Sequence, residues 1–367
     1  MAELIIHTER IKDNISKLSD FFNEKNVYWS LITKVFSGDK EFLKELLTDD
    51  ILENIQSVGD SRLTSLKNLK AINPNMRTIY IKPPAQTYVE EVVKYADISL
   101  NTSFETIEAL NEEAKKQDKI HHIIIMIELG EMREGVNRSD IITFYERVFE
   151  MSNITVLGIG SNLGCMYGIA PTYEKLSELA NYKEHIAEKF NRSVYMISGG
   201  SSITLPLLEE GKIPEEINHF RIGEAAFFGS SPLEAKKFMN LNTDTFEFKA
   251  NIIELEQKKL FPEGEISEAS IGDIAEISDK NKSSTTTKAI LDFGLLDVNH
   301  EDLSTTEQSK GLKFVGMTSD MIVMDLGDNL DENGNQRFKV GDTLNFNPNY
   351  MAVARLLNSK FIDRKYD

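Results

Sequence analysis

The sequence lacks the features of secreted, membrane-spanning and nucleic-acid-binding proteins. It has a single cysteine, Cys165, which excludes an intrachain disulfide bond. The longest apolar run, Ile123 to Ile127, is far shorter than the roughly 20 residues that span a bilayer, and no basic and apolar leader begins the chain. Acidic residues outnumber basic ones by 59 to 41, and a net charge of -18 disfavours nucleic acid and anionic membranes as partners. We therefore expect a cytoplasmic protein with a small-molecule partner and with no nucleic-acid or membrane partner.

The chain of 367 residues is longer than a single core usually allows, and its two parts have different patterns. In residues 1–240, apolar strand signals alternate with amphipathic helices such as Glu105 to Lys116 and Tyr173 to Lys189. The expected strands are Val27 to Lys34, Ile55 to Val58, Thr78 to Ile81, Ile98 to Leu100, His122 to Ile127, Ile154 to Ile159, Val194 to Ile197 and His219 to Ile222. This α/β pattern predicts a (β/α)8 TIM-type barrel, whose active site lies at the carboxyl ends of the strands.

Residues 241–367 show strand signals separated by polar turns, such as Asp279 to Lys282, with no long helix between them. The expected strands are Phe246 to Glu254, Ile271 to Ile277, Lys288 to Asp292, Met321 to Leu326 and Asp342 to Phe346. This pattern predicts a second, smaller and mostly-β domain at the carboxyl terminus. A first strand at residues 4–8 could pair with that domain.

Lys34 follows a short apolar strand and precedes a turn that contains Gly38. Apolar surroundings penalise an ammonium, and the neutral amine is the form that captures an aldehyde. The alternative is that Lys34 only ends a strand with its amine in water. The segments after the other strands decide between these interpretations.

Four polar segments follow the later predicted barrel strands. Arg133 lies within Glu128 to Val136, where a fixed guanidinium could take a carboxylate bidentately, although an arginine among glutamates is commonly a solvated ion pair. In Gly158 to Cys165, the third glycine comes one residue too late for a dinucleotide-binding loop. Ser198 to Ser202 ends the seventh strand and Arg221 to Glu224 ends the eighth, and loops after these two strands commonly bind phosphate in this fold.

In order and spacing, these segments resemble the fold-type III pyridoxal-phosphate enzymes of the alanine racemase superfamily, and most closely its ornithine racemase branch. The motifs that carry the resemblance are Thr33-Lys34-Val35-Phe36, Asp60-Ser61-Arg62, Glu131-Met132-Arg133-Glu134-Gly135, Gly160-Ser161-Asn162-Leu163, Ser198-Gly199-Gly200-Ser201-Ser202, Arg221-Ile222-Gly223-Glu224, Ser319-Asp320 and Asn349-Tyr350. The resemblance covers nearly the whole chain. It implies pyridoxal 5'-phosphate as the cofactor, an amino-acid racemase that interconverts L and D enantiomers, and a homodimer with shared active sites.

The resemblance also implies a role for each matching residue. Lys34 would hold the cofactor as an imine and act as base on one face of the α-carbon. Arg221 would face the pyridine nitrogen, and because it does not give up its proton readily, it favours reprotonation at the α-carbon over transamination. The other expected cofactor contacts are Asn162, Ser201, Ser202, Gly223, Glu224 and Tyr350, the last from the second subunit. The expected substrate contacts are Arg133, Ser319 and Asp320, and no metal ligand is expected.

The second acid/base group is not assigned by the resemblance. Alanine racemases place a tyrosine of the second domain there, but the corresponding stretch, Leu260 to Glu265, has none, and Asn162 stands where they carry a supporting histidine. Cys165 is a candidate because a thiol near a cationic cofactor environment could ionise and protonate the α-carbon. The alternative for Cys165 is a small buried hydrophobe. Tyr167 and Asp320 are further candidates, and we expect Lys34, Cys165 and Arg133 to be catalytic.

Three classes of function stay open. The first is a racemase of a basic amino acid such as ornithine or lysine, with Glu128, Glu131, Glu134 and Asp320 available to a distal ammonium. The second is a lyase of the same fold. Decarboxylases tend to have an acidic partner for the pyridine nitrogen, unlike Arg221, and metal-assisted aldolases need a His/Cys pair that is not found near the carboxyl terminus. The third is a non-catalytic pyridoxal-phosphate carrier, which would be a single barrel without the added β domain.

Overall fold

The structure is a computed structural model that describes residues 1–233, 236–267, 271–274 and 284–367. These residues form two compact units, Arg10–Thr243 and a second unit that combines Met1–Glu9 with Asp244–Asp367. The amino-terminal strand β1 (Glu3–Ile6) belongs to the second unit. A domain boundary between residues 240 and 241 stays a prediction. Within the described ranges, no helix is long and apolar enough to cross a membrane.

The Arg10–Thr243 unit is built on one parallel sheet. Its strands are β2 (Tyr28–Ile32), β3 (Ser57–Asp60), β4 (Thr78–Tyr80), β5 (Ile98–Asn101), β6 (His121–Met126), β7 (Ile154–Gly160), β8 (Met196–Ser198), β9 (Gly200–Ser201) and β10 (His219–Ile222). Their order is β8-β7-β6-β5-β4-β3-β2-β10-β9, and all the pairs are parallel. Because only Gly199 separates the two edge strands β8 and β9, the sheet is a nearly closed barrel. The predicted TIM-type barrel is confirmed.

The interior of this barrel is a packed apolar core. The cluster of buried residues that fills it is Ile32, Ile79, Ile98, Leu100, Ile124, Met126 and Met196. Two glycines face the cluster closely: a Cβ at Gly59 would lie 2.6 Å from Cδ1 of Ile32, and one at Gly160 would lie 2.8 Å from Sδ of Met126. With the interior filled, reactive side chains must lie at the strand ends, as in other barrels of this kind.

Helices lie before, between and after the strands of this sheet. They are α1 (Thr8–Glu24), α2 (Lys40–Leu46), α3 (Asp49–Glu53), α4 (Leu63–Ile72), α5 (Val89–Tyr95), α6 (Phe104–Lys116), α7 (Ile141–Val148), α8 (Tyr173–Phe190), α9 (Leu205–Glu209) and α10 (Glu224–Phe228). Both predicted helices are present, and their starts are fixed by side-chain caps. Ser103 accepts from the N–H of Thr106 at the start of α6, and Thr172 accepts from the N–H of Lys175 at the start of α8.

Three predicted barrel strands have clearly different bounds in the structure: β2, β3 and β8, which begins at Met196 and not at Val194. β2 ends at Ile32, and residues Lys34–Phe36 form a 3-10 turn after it. β3 begins at Ser57 because Ser57 pairs in register with Ser30, so the strand follows the hydrogen-bond ladder and not the apolar run that begins at Ile55. Lys34 is therefore placed on a turn just beyond the strand end.

The second unit is a mostly-β sheet, as predicted. After a short pair in the barrel unit, β11 (Ser230–Ser231) and β12 (Lys236–Lys237), its elements are β13 (Phe246–Lys259), β14 (Asp273–Ile274), β15 (Thr285–Leu291), β16 (Leu303–Thr305), β17 (Lys313–Met317), β18 (Ile322–Asp325), β19 (Thr343–Pro348), α11 (Tyr350–Leu356) and β20 (Asp363–Tyr366). The order is β14-β17-β18-β15-β13-β1-β20, and β19 joins β13 to β16. Of the predicted strand Ile271 to Ile277, residues 275–277 lie outside the described residues, and so does the predicted turn Asp279 to Lys282.

Candidate active site

Lys34 lies at the carboxyl end of the barrel. It begins the turn Lys34–Phe36 directly after β2, and β2 pairs with β3 on one side and with β10 on the other. Its side chain is exposed, whereas Val35 and Phe36 of the same turn are buried. We expected apolar surroundings for the amine of Lys34, and this expectation is wrong. The apolar residues of the turn are buried, whereas the lysine is exposed.

Arg221 is buried on β10, and neutral oxygen atoms hold its guanidinium. Nη1 donates to the carbonyl oxygen of Ser198 at 2.8 Å and also to its hydroxyl, and Nη2 donates to the carbonyl oxygen of Ser161 at 2.8 Å. Among the described residues, no carboxylate accepts a hydrogen bond from Arg221 and none of its bonds uses Nε. Burial lowers the pKa of Arg221 to about 10, so the group still keeps its proton at neutral pH.

A chain of buried polar groups supports the contact between Ser198 and Arg221. The hydroxyl of Ser198 lies 2.7 Å from Nδ1 of His219, whose Nε2 lies 2.9 Å from the hydroxyl of Ser30. That hydroxyl lies 2.7 Å from the hydroxyl of Ser57. Burial lowers the pKa of His219 to about 3, and the charge of Arg221 acts in the same direction. The neutral ring both donates and accepts, so it can fix the hydroxyl that faces the guanidinium.

Ser201, Ser202 and Gly223 lie close to Arg221 because β9 pairs with β10. Ser201 stands opposite Arg221 in that pair, and the hydroxyl of Ser202 accepts from the N–H of Ala225 at 3.2 Å. Gly223 follows β10 directly and precedes α10. Hydroxyl and backbone groups are therefore gathered at the neighbouring ends of β9 and β10.

Glu224 is half-buried at the start of α10, and its carboxylate interacts electrostatically with Lys34. Burial raises the pKa of Glu224, and the positive charge of Lys34 opposes this effect. Lys34 and Glu224 thus interact just beyond the ends of two paired strands, β2 and β10, and Arg221 lies on β10 itself.

Arg133 is the centre of a second cluster, formed by the loops after β6 and β7. Its Nε and Nη2 donate to the two carboxylate oxygens of Glu134, which raises the pKa of Arg133, and its Nη1 lies 2.7 Å from Sγ of Cys165. When the amide of Asn162 is oriented by its hydrogen bonds, its oxygen accepts from Nη1 at 3.1 Å and from Nη2 at 2.6 Å. Arg133, Asn162 and Cys165, predicted separately, lie together.

Comparison with known proteins agrees with this geometry. The family model for the N-terminal domain of alanine racemase matches residues 6–232. The chain belongs to the alanine racemase family. It is 30% identical to the ornithine racemase of Acetoanaerobium sticklandii, with 99% of each protein covered. It is 28% identical to the lysine racemase of Thermotoga maritima, with 99% of this chain and 98% of that protein covered.

Solved structures show the same fold. An alanine racemase from Bartonella henselae with covalently bound pyridoxal phosphate has a TM-score of 0.71 and 16% identity to this chain, and 100% of this chain and 99% of that one are covered. The predicted family, with its barrel and mostly-β second part, is therefore confirmed.

In this alanine racemase family member, three carboxylates expected to be available to a substrate ammonium are engaged elsewhere. The oxygens of Glu128 accept from the backbone N–H groups of Gly130 and Arg133. Glu134 pairs with Arg133, and the carboxylate of Glu131 accepts three backbone N–H groups of the loop after β7. Glu131 is buried, so its expected availability is wrong, whereas that of Glu128 and Glu134 stays a prediction.

The other predicted site residues belong to the second unit. Tyr350 begins α11, whose cap Asn349 accepts from the N–H of Ala352 at 2.9 Å. Ser319 and Asp320 are exposed, and the hydroxyl of Ser319 donates to the carboxylate of Asp320 at 3.1 Å. Within the described part of the chain, no group of three or more His, Cys, Asp or Glu side chains is arranged to hold a metal.

Sequence reasoning missed two supporting residues. His219 appeared only as the start of a strand, although a histidine in a buried strand is a sign of a polar partner inside the barrel. Glu131 appeared as one of several loop carboxylates. The hydrogen bonds to it come from backbone N–H groups more than thirty positions later in the chain. No pattern of side chains reports a contact of that kind.

Proposed function

We propose that this enzyme is a pyridoxal-phosphate-dependent racemase of a basic amino acid, ornithine or lysine. The class, amino-acid racemase, follows from the family and from relatives named ornithine racemase and lysine racemase, which match 99% of the chain. Both relatives are named for amino acids with a distal amine, and this supports a basic substrate. The observation that carries the reaction type is the guanidinium of Arg221, which is buried among neutral acceptors.

The residues at the carboxyl end of the barrel fit pyridoxal phosphate. Lys34 offers an exposed primary amine, and Arg221 has an Nε–H that none of the described hydrogen bonds uses. Ser201, Ser202 and the backbone of Gly223 lie where this fold commonly binds phosphate. Once bound, the cofactor withdraws electrons from the α-carbon of an amino acid and makes its hydrogen acidic.

Arg221 favours racemisation through the proton that it keeps. With a pKa of about 10 it donates an N–H without handing over the proton near neutral pH, whereas a carboxylic acid in its place would protonate an aromatic nitrogen. The neutral oxygens of Ser198 and Ser161 accept the hydrogen bonds of the guanidinium, and Glu134 acts on it through its charge without a hydrogen bond. This argues against a decarboxylase, whose relatives in this fold tend to use an acidic partner.

Two side chains are proposed to move the α-proton, one on each face of the substrate. Lys34 takes or returns it on one face, with the carboxylate of Glu224 close enough to interact with it electrostatically. Cys165 is the proposed donor on the opposite face, with its sulfur 2.7 Å from Nη1 of Arg133. Arg133 would also hold the substrate carboxylate next to the thiol, with Asn162 beside it.

A direct assay tests this proposal and separates its alternatives. The pure protein, supplied with pyridoxal phosphate, is incubated with L-ornithine, L-lysine and L-alanine, and the products are resolved by chiral chromatography. We expect D-ornithine or D-lysine to form faster than D-alanine. Release of carbon dioxide or an aldehyde instead would establish a lyase, and cofactor binding without any turnover would establish a carrier.

We also propose a homodimer located in the cytoplasm. Tyr350, Ser319 and Asp320 lie in the second unit, and the family resemblance suggests that they complete the site of a partner subunit. Sedimentation equilibrium at micromolar concentration should give twice the mass of the 41.6 kDa chain. A monomer that is fully active would contradict the shared site.

A further inference from the structure

Glu131 is a carboxylate that the chain buries and surrounds with backbone donors. It is only 2% exposed. One oxygen accepts from the N–H of Cys165 at 3.0 Å and of Ile169 at 2.8 Å, and the other accepts from the N–H of Tyr167 at 3.0 Å. Among the described residues, no Lys, Arg or His forms an ion pair with it. A buried charge of this kind is tolerated because several charge-assisted hydrogen bonds replace its lost hydration.

The donors all belong to one short loop that folds around the carboxylate. The N–H of Gly164 donates to the carbonyl oxygen of Ile169 at 2.8 Å, which closes the loop. Gly164 and Gly168 have φ values of +66° and +68°, a left-handed conformation that glycine adopts without strain. Three further N–H groups of the loop from 164 to 169 donate to Glu131, whose carboxylate lies at the centre of the loop.

Burial and these hydrogen bonds have opposite effects on Glu131. Burial raises its pKa, and the N–H groups of Cys165, Tyr167 and Ile169 lower it, with a net result below the ordinary value. The carboxylate is therefore charged at neutral pH. It can act as a permanent anchor for the loop and is not a group that gains or loses a proton during turnover.

The anchored loop carries the thiol that faces Arg133. Cys165 donates its N–H to Glu131 while its Sγ lies 2.7 Å from Nη1 of Arg133, and Arg133 itself is two residues after Glu131 in the chain. Glu131 thus holds the backbone of Cys165 by a hydrogen bond and is joined to Arg133 through the chain, so it is linked to both partners of the sulfur–guanidinium contact. Tyr167, the other candidate donor on this loop, is anchored by the same group but is 63% exposed.

We propose that Glu131 is a positioning residue that holds Cys165 for proton transfer on the face of the substrate opposite Lys34. The inference rests on the proposed racemase function. In the step that it supports, the S–H bond of Cys165 breaks and a C–H bond forms at the α-carbon, while the sulfur keeps the electron pair and faces the guanidinium of Arg133. The reverse step restores the thiol. Glu131 touches neither the substrate nor the cofactor.

The test compares Glu131→Gln, Cys165→Ala and the double variant. The Gln amide offers one acceptor oxygen and an NH₂ that repels the loop N–H groups, so we expect peptides covering residues 164–169 to exchange backbone hydrogen faster, in the cofactor-free protein as well. A misplaced reacting group costs on the order of 10²-fold in turnover, so kcat of Glu131→Gln should fall by about that factor with KM and cofactor absorbance little changed. Glu188→Gln, the same change on an exposed residue of α8, is the matched control.

The double variant separates a positioning role from a general one. The effects of two substitutions do not add when one residue acts through the other. Glu131→Gln should therefore lower turnover little further once Cys165 is already alanine. Unchanged exchange in the 164–169 loop would overturn the anchor, and normal turnover with a loosened loop would overturn the positioning role. If Glu131→Gln lowers turnover by the full factor in the Cys165→Ala background as well, the positioning role is also overturned.

Glu131→Asp keeps the charge one methylene shorter and should give an intermediate loss, which keeps the test usable if the Gln variant does not fold. Failure of the proposed function is seen separately. In that case the unmodified protein racemises neither ornithine nor lysine, while the hydrogen-exchange measurement still reports on the anchor.

Discussion

The site has two halves that are held together by different forces. The strand half, Lys34, Ser201, Ser202, Arg221, Gly223 and Glu224, lies at the paired ends of β2, β9 and β10. The loop half, Glu131, Arg133, Glu134, Asn162 and Cys165, lies on connections after β6 and β7. Neutral oxygens and a neutral imidazole fix the cation of the strand half, whereas carboxylates fix the cation and the backbone of the loop half.

The difference fits the separate tasks proposed for the halves. Arg221 is buried and donates its hydrogen bonds to neutral acceptors, and no carboxylate among the described residues forms a hydrogen bond with it. Arg133 is more exposed and is paired with Glu134, so its charge is largely balanced until a substrate arrives. The strand half is suited to holding a cofactor for many turnovers, and the loop half to releasing and recapturing a proton and a substrate.

The largest effect should come from removing the amine of the strand half. Lys34→Ala should lose roughly 10⁴-fold in racemisation, the upper end for a positioned acid/base group, and should also lose the covalent hold on the cofactor. Borohydride reduction followed by peptide mapping should place a phosphopyridoxyl group on Lys34 in the unmodified protein. Lys40→Ala, an exposed lysine close in sequence, is the control and should keep both properties.

The loop half should respond strongly but keep its cofactor. Cys165→Ala should lower turnover by roughly 10²-fold, since a proton donor is lost while the strand half is untouched. Cys165→Ser should nearly keep the size of the side chain and remain slow, because a hydroxyl ionises far less readily than a thiol. Steady-state kinetics with cofactor absorbance measures both properties. The structure has Cys165 exposed and not buried as a small hydrophobe, so near-normal racemisation by Cys165→Ala would leave it without a catalytic role and point to Tyr167 or Asp320.

Arg221→Glu should change the outcome of turnover as well as its rate. An acidic side chain would protonate the pyridine nitrogen and prolong the deprotonated state of the substrate, so a larger fraction of turnovers should end in transamination. The fraction is measured as pyridoxamine phosphate and keto acid per racemisation event. Arg221→Lys keeps a cation and serves as control. A folded, cofactor-loaded Arg221→Glu protein with an unchanged fraction would show that charge at this position does not select the reaction.

The smallest expected effect is on stability. His219, which supports the strand half, and Glu131 of the loop half should lose their contributions to stability over different pH ranges. The folded chain keeps His219 neutral down to about pH 3, but the unfolded imidazole takes a proton near its ordinary pKa of 6.5. The unfolded chain then binds more protons, so this contribution to stability falls as pH drops from about 6.5 towards 3, at up to about 1.4 kcal/mol per pH unit. Glu131 has a lowered pKa, so its contribution is present above its ordinary value of 4.5 and is lost only as pH falls through the lowered one.

Urea unfolding at pH 7.5 and pH 5 checks this contrast. His219→Asn should be less stable than the unmodified chain at pH 7.5 and should lose less stability on going to pH 5. Glu131→Gln should lose as much stability between pH 7.5 and pH 5 as the unmodified chain does, because Glu131 stays charged over that interval. His185→Asn on the exposed side of α8 is the control. An equal pH dependence for the His219 variant and the unmodified protein would contradict a neutral, buried imidazole.

The two halves also differ in how far the sequence predicts them. The residues of the strand half follow apolar strands at fixed spacing, so the sequence pattern alone places Lys34, Ser202 and Arg221 at one end of a barrel. In the loop half, the sequence pattern singles out Arg133 and Cys165, but their contact depends on the path of two loops that no periodicity describes. The role of Glu131 depends on backbone N–H groups, which every residue type except proline carries, so no side chain in the sequence reports it.

The most direct test of a two-sided site is α-proton exchange with deuterium oxide, followed by NMR for each enantiomer separately. If Lys34 and Cys165 serve opposite faces, the unmodified protein should exchange the α-proton of both enantiomers of ornithine or lysine. Cys165→Ala should then keep exchange for one enantiomer and largely lose it for the other. Equal exchange of both enantiomers by Cys165→Ala would contradict the division of labour between the strand half and the loop half.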